Sequence, residues 1–367
     1  MKTGINFISF RSYQGTEIFA RHLISGLIGQ DKEGTYVIYC SPSLPDQLRI
    51  TARNAMVKTV RLDPEKTVTM GLYQQIVLPL KLMASGISRF YSPLPSVPLF
   101  YPGKKVMTIH DCAYDRFAEY KSTRSRLYIR LMYHAGKHLC DTIVTVSEFS
   151  KQELITLYRI KPEKIKVIYN SVPELPDTDS QFILQTQQSF HIRGDYFMYI
   201  GNTRPRKNIP GLLKAFSSFC RNHTGMYLVL AGRIDTSFID VEEEARSLGI
   251  GNRVIQTGFI TDRQKAALYR GATALVFPSF YEGFGLPVIE AQSLGTPVLT
   301  SDTSSLPEIA GEGALFVDPL DTAAIEHGME QLMDPATREV LREKGLRNVR
   351  RFSWEQSAAR LMQILSS

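Results

Sequence analysis

The sequence predicts an α/β protein built from two doubly wound, Rossmann-like domains that face each other across a cleft. Its 367 residues correspond to about two domains of ordinary size. Short apolar runs rich in β-branched and aromatic residues alternate with longer segments of helical period, the pattern of βαβ units and parallel sheets. A polar, proline-containing stretch interrupts this alternation near mid-chain. Because such domains bind ligands at the carboxyl ends of their strands, we expect the functional site there.

Residues 1–171 form the first predicted domain. Its strands are predicted at residues 5–10, 35–39, 56–60, 106–109, 142–146 and 165–168. Segments 16–28, 122–138 and 148–158 between them have helical spacing, and Ser147 is a suitable N-cap for the third. This half is therefore predicted to be one doubly wound domain.

The second domain is predicted at residues 195–351, after a linker at 172–194 that is rich in proline, aspartate and glutamine. Its strands are expected at 196–200, 227–231, 254–256, 274–277 and 298–300, and its helices near 209–220, 262–269 and 286–294. Residues 352–367 form an amphipathic helix that contains Trp354, the only tryptophan. This helix is expected to pack on the second domain or back onto the first, and the sequence favours neither.

The net charge of +7 is divided unevenly along the chain. Residues 1–171 hold 24 lysines and arginines against 13 acidic residues, a balance of +11, whereas residues 172–367 hold 19 against 23, a balance of −4. A basic half favours phosphate-rich partners, which include nucleic acid, an anionic membrane surface and a phosphorylated substrate. Nucleic acid is disfavoured because no helix-turn-helix or interleaved basic and aromatic motif is present.

The cysteines and the apolar runs indicate the compartment. The four cysteines are scattered without a C-x-x-C pair, which argues against a disulfide framework or a structural zinc site and favours the cytoplasm. No apolar run of about 18 residues and no secretory signal is present, so we expect a chain that does not span the membrane. The basic, amphipathic segment 122–138 is slightly favoured as a membrane-surface helix over an ordinary solvated one.

Several common chemistries have no motif in this chain. The dinucleotide fingerprint, the P-loop and H-E-x-x-H are all missing, which disfavours nicotinamide, P-loop and zincin enzymes. Asp177 and Asp179 could form a pair of metal carboxylates, but they lie in the polar linker. We therefore expect no metal site and no cofactor.

Two strand-to-helix junctions carry residues suited to a nucleotide sugar. After the strand ending at Phe277, a turn at Gly283–Gly285 precedes a helix, and such a turn offers backbone N–H groups and a helix dipole to an anion. Glu282 and Glu290 flank it, and carboxylates beside an anion site suit sugar hydroxyls. The other junction, at residues 199–208, has three cations within four residues that suit a departing diphosphate.

These segments resemble the retaining glycosyltransferases of family 4. The resemblance rests on Glu-Gly-Phe-Gly-Leu-Pro-Val-Ile-Glu at 282–290, Gly-Asn-Thr-Arg-Pro-Arg-Lys-Asn at 201–208 and Ser-Leu-Pro-Glu-Ile at 305–309. In the first half Thr-Ile-His-Asp at 108–111 and Thr-Val-Ser-Glu-Phe-Ser-Lys at 145–151 also match. The resemblance covers nearly the whole chain in order. It implies the GT-B fold, with the donor held by the C-terminal domain and the acceptor by the N-terminal one.

The resemblance also implies residue roles. Glu282 would contact the transferred sugar and Glu290 the donor ribose. The segment Gly258-Phe259-Ile260 would lie beside the nucleobase, although an ordinary turn would have the same pattern. The implied catalytic residues are Glu282, Lys207, Arg206 and His110. The implied donor-binding residues are Gly15, Gly201, Asn202, Thr203, Arg204, Phe259, Ile260, Gly283, Phe284, Gly285, Leu286 and Glu290. Family members commonly carry arginine where this chain has Asn202, and Arg204 is a candidate to supply the missing charge.

The sequence therefore predicts a metal-independent, retaining hexosyltransferase, cytoplasmic or peripheral on the inner face of the cytoplasmic membrane. Mannose from GDP-mannose is the favoured donor group, and the expected acceptor is a lipid-linked or cell-surface glycan such as an O-antigen of lipopolysaccharide. A related enzyme with a soluble acceptor, as in sucrose or glycogen metabolism, and an inactive nucleotide-sugar-binding subunit are the alternatives.

Overall fold

The computed structural model describes residues 2–8, 15–41, 52–62, 67–117 and 123–367, with the side chains of 67, 68 and 123–125 excepted. The predicted strand residues 9 and 10 lie outside these ranges. The chain divides into two compact units. Unit 1 comprises Met1–Asn170 together with Ser353–Ser367, and unit 2 comprises Ser171–Phe352.

Unit 1 contains a parallel sheet of seven strands in the order β3-β2-β1-β4-β5-β6-β7. The inner strands are almost fully buried, as parallel strands covered by helices on both faces must be. The strands are β1 (Lys2–Phe7), β2 (Thr35–Cys40), β3 (Ala55–Thr59), β4 (Arg89–Ser92), β5 (Lys104–Thr108), β6 (Thr142–Thr145) and β7 (Ile165–Val167).

Helices connect these strands. They are α1 (Gly15–Gln30), α2 (residues 67–84, with a π-helical turn at Tyr73–Val77), α3 (Ala113–Arg116), α4 (Thr123–Leu139) and α5 (Glu148–Tyr158). The predicted cap is in place, because the Ser147 hydroxyl accepts the N–H of Ser150 at 3.0 Å. The strand β4 and the helix α2 have no counterpart among the predicted elements, since four strand residues after a long helix give too short a pattern to stand out.

Unit 2 contains a parallel sheet of six strands in the order β10-β9-β8-β11-β12-β13. After β8, the chain adds β9 and then β10 on one side of β8. It then crosses to the other side of β8, where β11 pairs with it. The strand order therefore reverses between β8 and β11, and doubly wound sheets bind ligands at the carboxyl ends of such a pair. The strands are β8 (Tyr196–Ile200), β9 (Tyr227–Ala231), β10 (Val254–Gly258), β11 (Ala274–Phe277), β12 (Val298–Ser301) and β13 (Leu315–Val317).

Helices alternate with the strands of this sheet along the chain. They are α6 (Ser180–Ser189), α7 (Ile209–Phe219), α8 (Val241–Ser247), α9 (Asp262–Gly271), α10 (Leu286–Ser293), α11 (Leu306–Ala310), α12 (Thr322–Gln331) and α13 (Pro335–Asn348). An aromatic and aliphatic core fills the space between them and the strands.

The predicted linker contains a helix. The Asp179 carboxylate accepts the N–H of Phe182 at 2.7 Å, and α6 follows directly from this cap. The Arg263 guanidinium of α9 lies 3.9 Å from the Phe182 ring centroid, so α6 packs on unit 2. The sequence predicted a linker at 172–194 and no helix within it, although glutamine and leucine are good helix formers once a cap starts the helix.

The last helix, α14 (Trp354–Ser366), belongs to unit 1. It packs along α1, where a Cβ atom on Gly26 would lie 2.9 Å from the Cβ of Ala358. Its Trp354 ring stacks on His22 with centroids 4.9 Å apart. The Lys104 ammonium donates to the carbonyl of Ile364 at 2.7 Å and fixes the far end of α14 to β5. The absence of a side chain at position 26 thus sets the close approach of the two helices.

Candidate functional site

The loops that follow β8 and β11 meet at the point where the strand order of unit 2 reverses. The N–H of Phe280 donates to the carbonyl of Arg206 at 2.8 Å and ties the two loops together. At the strand ends beneath them, the rings of Tyr199 and Phe277 stack with centroids 5.8 Å apart. These contacts bring the predicted cations of one loop against the predicted carboxylate of the other.

Glu282 pairs with both Arg206 and Lys207. Its Oε1 accepts from the Lys207 ammonium at 2.5 Å, and its Oε2 accepts from the Arg206 guanidinium at 2.8 Å. Glu282 and Lys207 are each only 6% exposed. Burial alone would raise the pKa of Glu282, but the two cations outweigh it and hold the pKa at about 2. The three groups therefore form a charged triad with a net charge of +1, which we call the ion triad.

Each cation of the ion triad is fixed by a further contact. The Arg206 guanidinium also donates to the carbonyl of Tyr281 at 2.8 Å. The Lys207 ammonium lies 4.7 Å from the centroid of the Phe277 ring, within the range of a cation–π interaction. Asn208, which follows in the left-handed conformation, starts α7 and donates from its amide to the carbonyl of Pro319 at 2.6 Å. The cations therefore have little freedom to move.

The backbone of Glu282 is held by two serines. Its N–H donates to the hydroxyl of Ser304 at 3.1 Å, and the Ser305 hydroxyl lies 2.9 Å from its carbonyl oxygen. The same Ser305 hydroxyl is 3.0 Å from the carbonyl of Phe284. Ser305 lies in one of the segments that carry the resemblance, but its contact with the turn at Glu282 was not predicted.

The glycine turn leads directly into α10. Gly285 has a φ of 100° and is the N-cap of this helix, and a Cβ atom there would lie 2.8 Å from a methyl group of Leu306. Gly283 and Leu286 flank this cap, and the buried Phe284 ring makes an edge contact with Phe352 at 5.7 Å. The turn therefore places the N-terminus of α10 next to the ion triad, as an anion site requires.

Glu290, on the second turn of α10, is already engaged. Its Oε1 accepts from the Lys265 ammonium at 3.0 Å, and its Oε2 accepts from the Tyr269 hydroxyl at 3.0 Å. Glu290 is 4% exposed, and its charge raises the pKa of Lys265 against the opposing effect of burial. Lys265 and Tyr269 were not among the predicted site residues. Their spacing of four residues on α9 was the available signal, since it places both on one face of a helix.

The other predicted residues of unit 2 line the adjacent strand ends. The carbonyl of Asn202 accepts from the Tyr199 hydroxyl at 2.7 Å, and its side chain accepts the N–H of Arg204 at 3.3 Å. The Thr203 hydroxyl accepts the N–H of Asp235 at 2.8 Å. Gly201 follows β8, and its N–H donates to the carbonyl of Ala231 at 2.9 Å. Hydrogen bonds to Asn202 and Thr203 thus fix the conformation of the loop after β8.

Phe259 and Ile260 follow β10. Phe259 is 84% exposed, which is unusual for so large an apolar ring, whereas Ile260 packs against the core. Gly258, with a φ of 65°, turns the chain between the strand and this pair. Thr261 then caps α9 in a reciprocal arrangement with Gln264.

His110 and Gly15 lie in unit 1. The Nε2–H of His110 donates to the carbonyl of Pro93 at 2.9 Å, and its ring edge contacts Phe19 with centroids 5.0 Å apart. Burial lowers the pKa of His110, against the opposing effects of this hydrogen bond and of Asp111, so the ring is neutral at pH 7. Gly15 is the first residue of α1, which also carries Phe19.

The described residues contain neither a metal-binding cluster nor a helix that could span a membrane. No group of three or more histidine, cysteine or acidic side chains is arranged to hold a metal ion in the described ranges. Among the helices of those same ranges, none combines the length and the apolar character needed to cross a bilayer.

Comparison with protein families gives two matches that together cover most of the chain. The model of "Glycosyltransferase Family 4" matches residues 13–174, and that of "Glycosyl transferases group 1" matches residues 185–348. The second range contains the ion triad and Glu290, and the first contains His110.

Individual relatives agree with these matches. O-antigen chain mannosyltransferase B of Escherichia coli is 34% identical over 69% of this chain and 67% of its own length. O-antigen chain mannosyltransferase RfbU of Salmonella typhimurium is 30% identical over 64% of this chain and 63% of its own length. The chain thus spans about two thirds of these curated relatives. The crystal structure of Anabaena HepE in complex with UDP-glucose superposes with a TM-score of 0.79 at 16% identity and covers 100% of this chain and 99% of that one. The chain therefore belongs to glycosyltransferase family 4 and has the GT-B fold.

Proposed function

We propose that this glycosyltransferase moves a hexose, with mannose favoured, from a nucleotide diphosphate sugar to a lipid-linked or cell-surface glycan of the O-antigen type, with retention of configuration. The observation that carries the proposal is the buried ion triad of Glu282, Arg206 and Lys207 beside the N-terminus of α10. Relatives named as O-antigen mannosyltransferases support the hexose and the acceptor, and a structure of the same fold that holds UDP-glucose supports the donor class.

The ion triad suits a reaction in which a diphosphate departs. The acceptor hydroxyl forms a bond to the anomeric carbon on the face from which the diphosphate oxygen leaves, and its proton passes to the departing phosphate. Negative charge grows on that phosphate, where Arg206 and Lys207 stabilise it without a metal ion. Glu282 remains ionised at every physiological pH because its pKa is about 2. Its negative charge would therefore stabilise the positive charge that develops on the sugar.

Residues beyond the ion triad are proposed to position the donor. Glu290, oriented by Lys265 and Tyr269, would accept hydrogen bonds from the ribose hydroxyls. Neutral His110 commits its Nε2–H to Pro93, which leaves Nδ1 as an acceptor for a hydroxyl of the transferred sugar. The exposed Phe259 lies at the strand end where the nucleobase is expected. Arg204 is proposed to supply the charge that Asn202 lacks.

We also propose that the enzyme works at the cytoplasmic face of the membrane. The balance of +11 in residues 1–171 supports attraction to anionic lipid. On α4, Leu127 is 68% exposed and Leu131 is 55% exposed, and the side chain of Arg130 on the same helix is 59% exposed. Arg130 pairs with Asp115 at 2.8 Å, so part of its charge is compensated.

Saturation-transfer NMR with a panel of nucleotide sugars tests the donor assignment. We expect saturation of the protein to transfer to GDP-mannose and to GDP. Binding of UDP-glucose alone would redirect the proposal to a glucosyltransferase. Failure of every nucleotide sugar and nucleoside diphosphate to bind at millimolar concentration would contradict the proposed function.

A further inference from the structure

A cavity of about 450 Å³ lies in unit 1, and none of the residues assigned above is among its lining residues. Tyr39 reaches it from the end of β2, Lys58 and Thr59 from the end of β3, and Tyr73 and Lys81 from α2. The carboxyl ends of parallel strands are where doubly wound sheets bind ligands, and this volume falls within the range of small-molecule sites. The cavity therefore has both the position and the size of a binding site.

The lining of the cavity is cationic. Among the residues that the structure describes, the lining contains Lys58 and Lys81 and no acidic side chain. The Lys81 ammonium lies 3.5 Å from the Tyr73 hydroxyl and 5.2 Å from the centroid of its ring. The Lys58 ammonium lies 6.0 Å from the centroid of the Tyr39 ring. Two lysines that line one cavity, each with its ammonium near a tyrosine ring, favour an anion with more than one negative charge.

A buried hydroxyl in the same cavity points to a ligand independently. Tyr39 is 1% exposed, and within the described part of the chain its hydroxyl has no hydrogen-bond partner with acceptable geometry. Ser85, which also lines the cavity, is near enough to offset part of the rise that burial causes in the pKa of Tyr39. Burying a hydroxyl without a partner is unfavourable, and a bound oxyanion would provide the acceptor.

We propose that Lys58, Lys81 and the Tyr39 hydroxyl form a binding site for a phosphate ester. A phosphate monoester carries close to two negative charges and three acceptor oxygens, which matches two ammonium groups and a hydroxyl donor. A carboxylate would leave one of the lysines uncompensated. None of the residues that line this cavity belongs to the residues assigned to the donor, and the inference holds whether or not mannose is the sugar transferred.

The surface of α2 beside the cavity suggests one source of the phosphate. Leu72, Ile76, Leu80 and Met83 recur every three or four residues, and each is between 44% and 59% exposed. Such spacing places them along one side of the helix, which would suit the apolar part of a lipid. The phosphate could equally belong to a soluble phosphorylated molecule, and the two sources share the chemistry of the site.

Calorimetric titration of the full chain with glycerol 3-phosphate tests the site. We expect the double variant Lys58→Gln/Lys81→Gln to bind glycerol 3-phosphate about tenfold more weakly than the wild type, since charge-assisted hydrogen bonds contribute on this scale. The matched control Lys161→Gln/Lys166→Gln removes the same charge from exposed positions of unit 1 and should bind like the wild type. Both variants keep Arg206 and Lys207, so any difference arises in unit 1.

Tyr39→Phe provides a second variant that removes only the orphan hydroxyl. It should weaken the binding of glycerol 3-phosphate severalfold while leaving the free energy of unfolding unchanged or higher. A hydroxyl with a purely structural role would not affect the affinity.

Co-sedimentation with phosphatidylcholine vesicles that contain phosphatidic acid distinguishes the sources. Vesicle binding that glycerol 3-phosphate competes away and that Lys58→Gln/Lys81→Gln loses would identify a lipid phosphate. Binding of glycerol 3-phosphate without such vesicle binding would identify a soluble ester. The inference is overturned if the wild type binds neither, or if Lys58→Gln/Lys81→Gln binds both as well as its control.

Discussion

Glu282 holds two cations that a bound diphosphate would also require. Its carboxylate lies 2.5 Å from the Lys207 ammonium and 2.8 Å from the Arg206 guanidinium, so a bound diphosphate would compete with Glu282 for these two cations. The sequence motifs indicated all three residues, but not that they pair with one another. That pairing depends on the reversal of strand order between β8 and β11, which no local pattern encodes.

This competition predicts opposite effects on binding and on turnover. Glu282→Gln should lower kcat by about 10²-fold or more, because a charge facing the developing transition state is lost. It should leave the affinity for the nucleoside diphosphate unchanged or higher, because both cations become fully available. Glu243→Gln, an exposed position in α8, is the control. Steady-state kinetics and calorimetry would contradict the assignment if Glu282→Gln lost affinity as much as kcat.

The low pKa of Glu282 predicts an acid-sensitive contribution to stability. The folded-state pKa is about 2 against an ordinary value of 4.5, so the carboxylate stabilises the fold fully above pH 4.5. This contribution, on the order of a few kcal/mol, is lost as the pH falls from 4.5 toward 2. Denaturant unfolding across that pH range should show a smaller loss for Glu282→Gln than for the wild type. An identical pH dependence in both proteins would refute the ion triad.

The start of α10 depends on the conformation of a single residue, Gly285. Gly285→Ala should lower the free energy of unfolding by about 1–3 kcal/mol, since the residue has a φ of 100° and its Cβ would collide with Leu306. It should also weaken nucleotide-sugar binding, because the helix N-terminus would shift. Gly225→Ala has open space around it and no positive φ, so it is the matched control in denaturant unfolding and in calorimetry. Equal stability of the two variants would contradict this account of the turn.

The contact between α1 and α14 predicts that alanine has opposite effects on stability at two glycines of α1, Gly26 and Gly29. At Gly29 a Cβ meets nothing within 4 Å, so Gly29→Ala should stabilise the helix by about 0.5–1 kcal/mol. At Gly26 the Cβ would lie 2.9 Å from that of Ala358, so Gly26→Ala should destabilise by about 1 kcal/mol despite the same gain in helix propensity. Because Trp354 stacks on His22 in this interface, its fluorescence should change only in Gly26→Ala. Stabilisation by both substitutions would show that the helices are not in close contact.

Helices and strands were predictable where the pattern of apolar residues was long or was bounded by capping or turn residues. The helix at Glu148–Tyr158 begins at its predicted cap, and β11 has its predicted bounds. The polar composition of residues 180–189 indicated a linker, but these residues form a capped helix within it. The bounds of β1 also differ, since it begins at Lys2 rather than at residue 5.

For the whole molecule, the sequence predicted the fold class and the family, and both are confirmed. Alternating strands and helices suffice for two doubly wound domains, and family motifs at the strand ends suffice for a family 4 glycosyltransferase. The contacts of Lys265, Tyr269 and Ser305 with the site were not predicted because they join segments that are distant in sequence. The four-residue spacing of Lys265 and Tyr269 places both on one face of α9, but it does not identify Glu290 as their partner. The cavity at Tyr39 was unforeseen for the same reason, since it combines two strand ends with a helix that the pattern did not show.

The anomeric configuration of the product is the most direct test of the proposed reaction. The purified chain is incubated with GDP-mannose and a lipid-linked O-antigen oligosaccharide, and the new linkage is examined by proton NMR. We predict transfer of α-mannose, the configuration of the donor, in the wild type and a fall of about 10²-fold or more in rate for Lys207→Gln. A β-linked product, or a rate that Lys207→Gln leaves unchanged, would contradict a retaining transfer in which the ion triad stabilises the departing diphosphate.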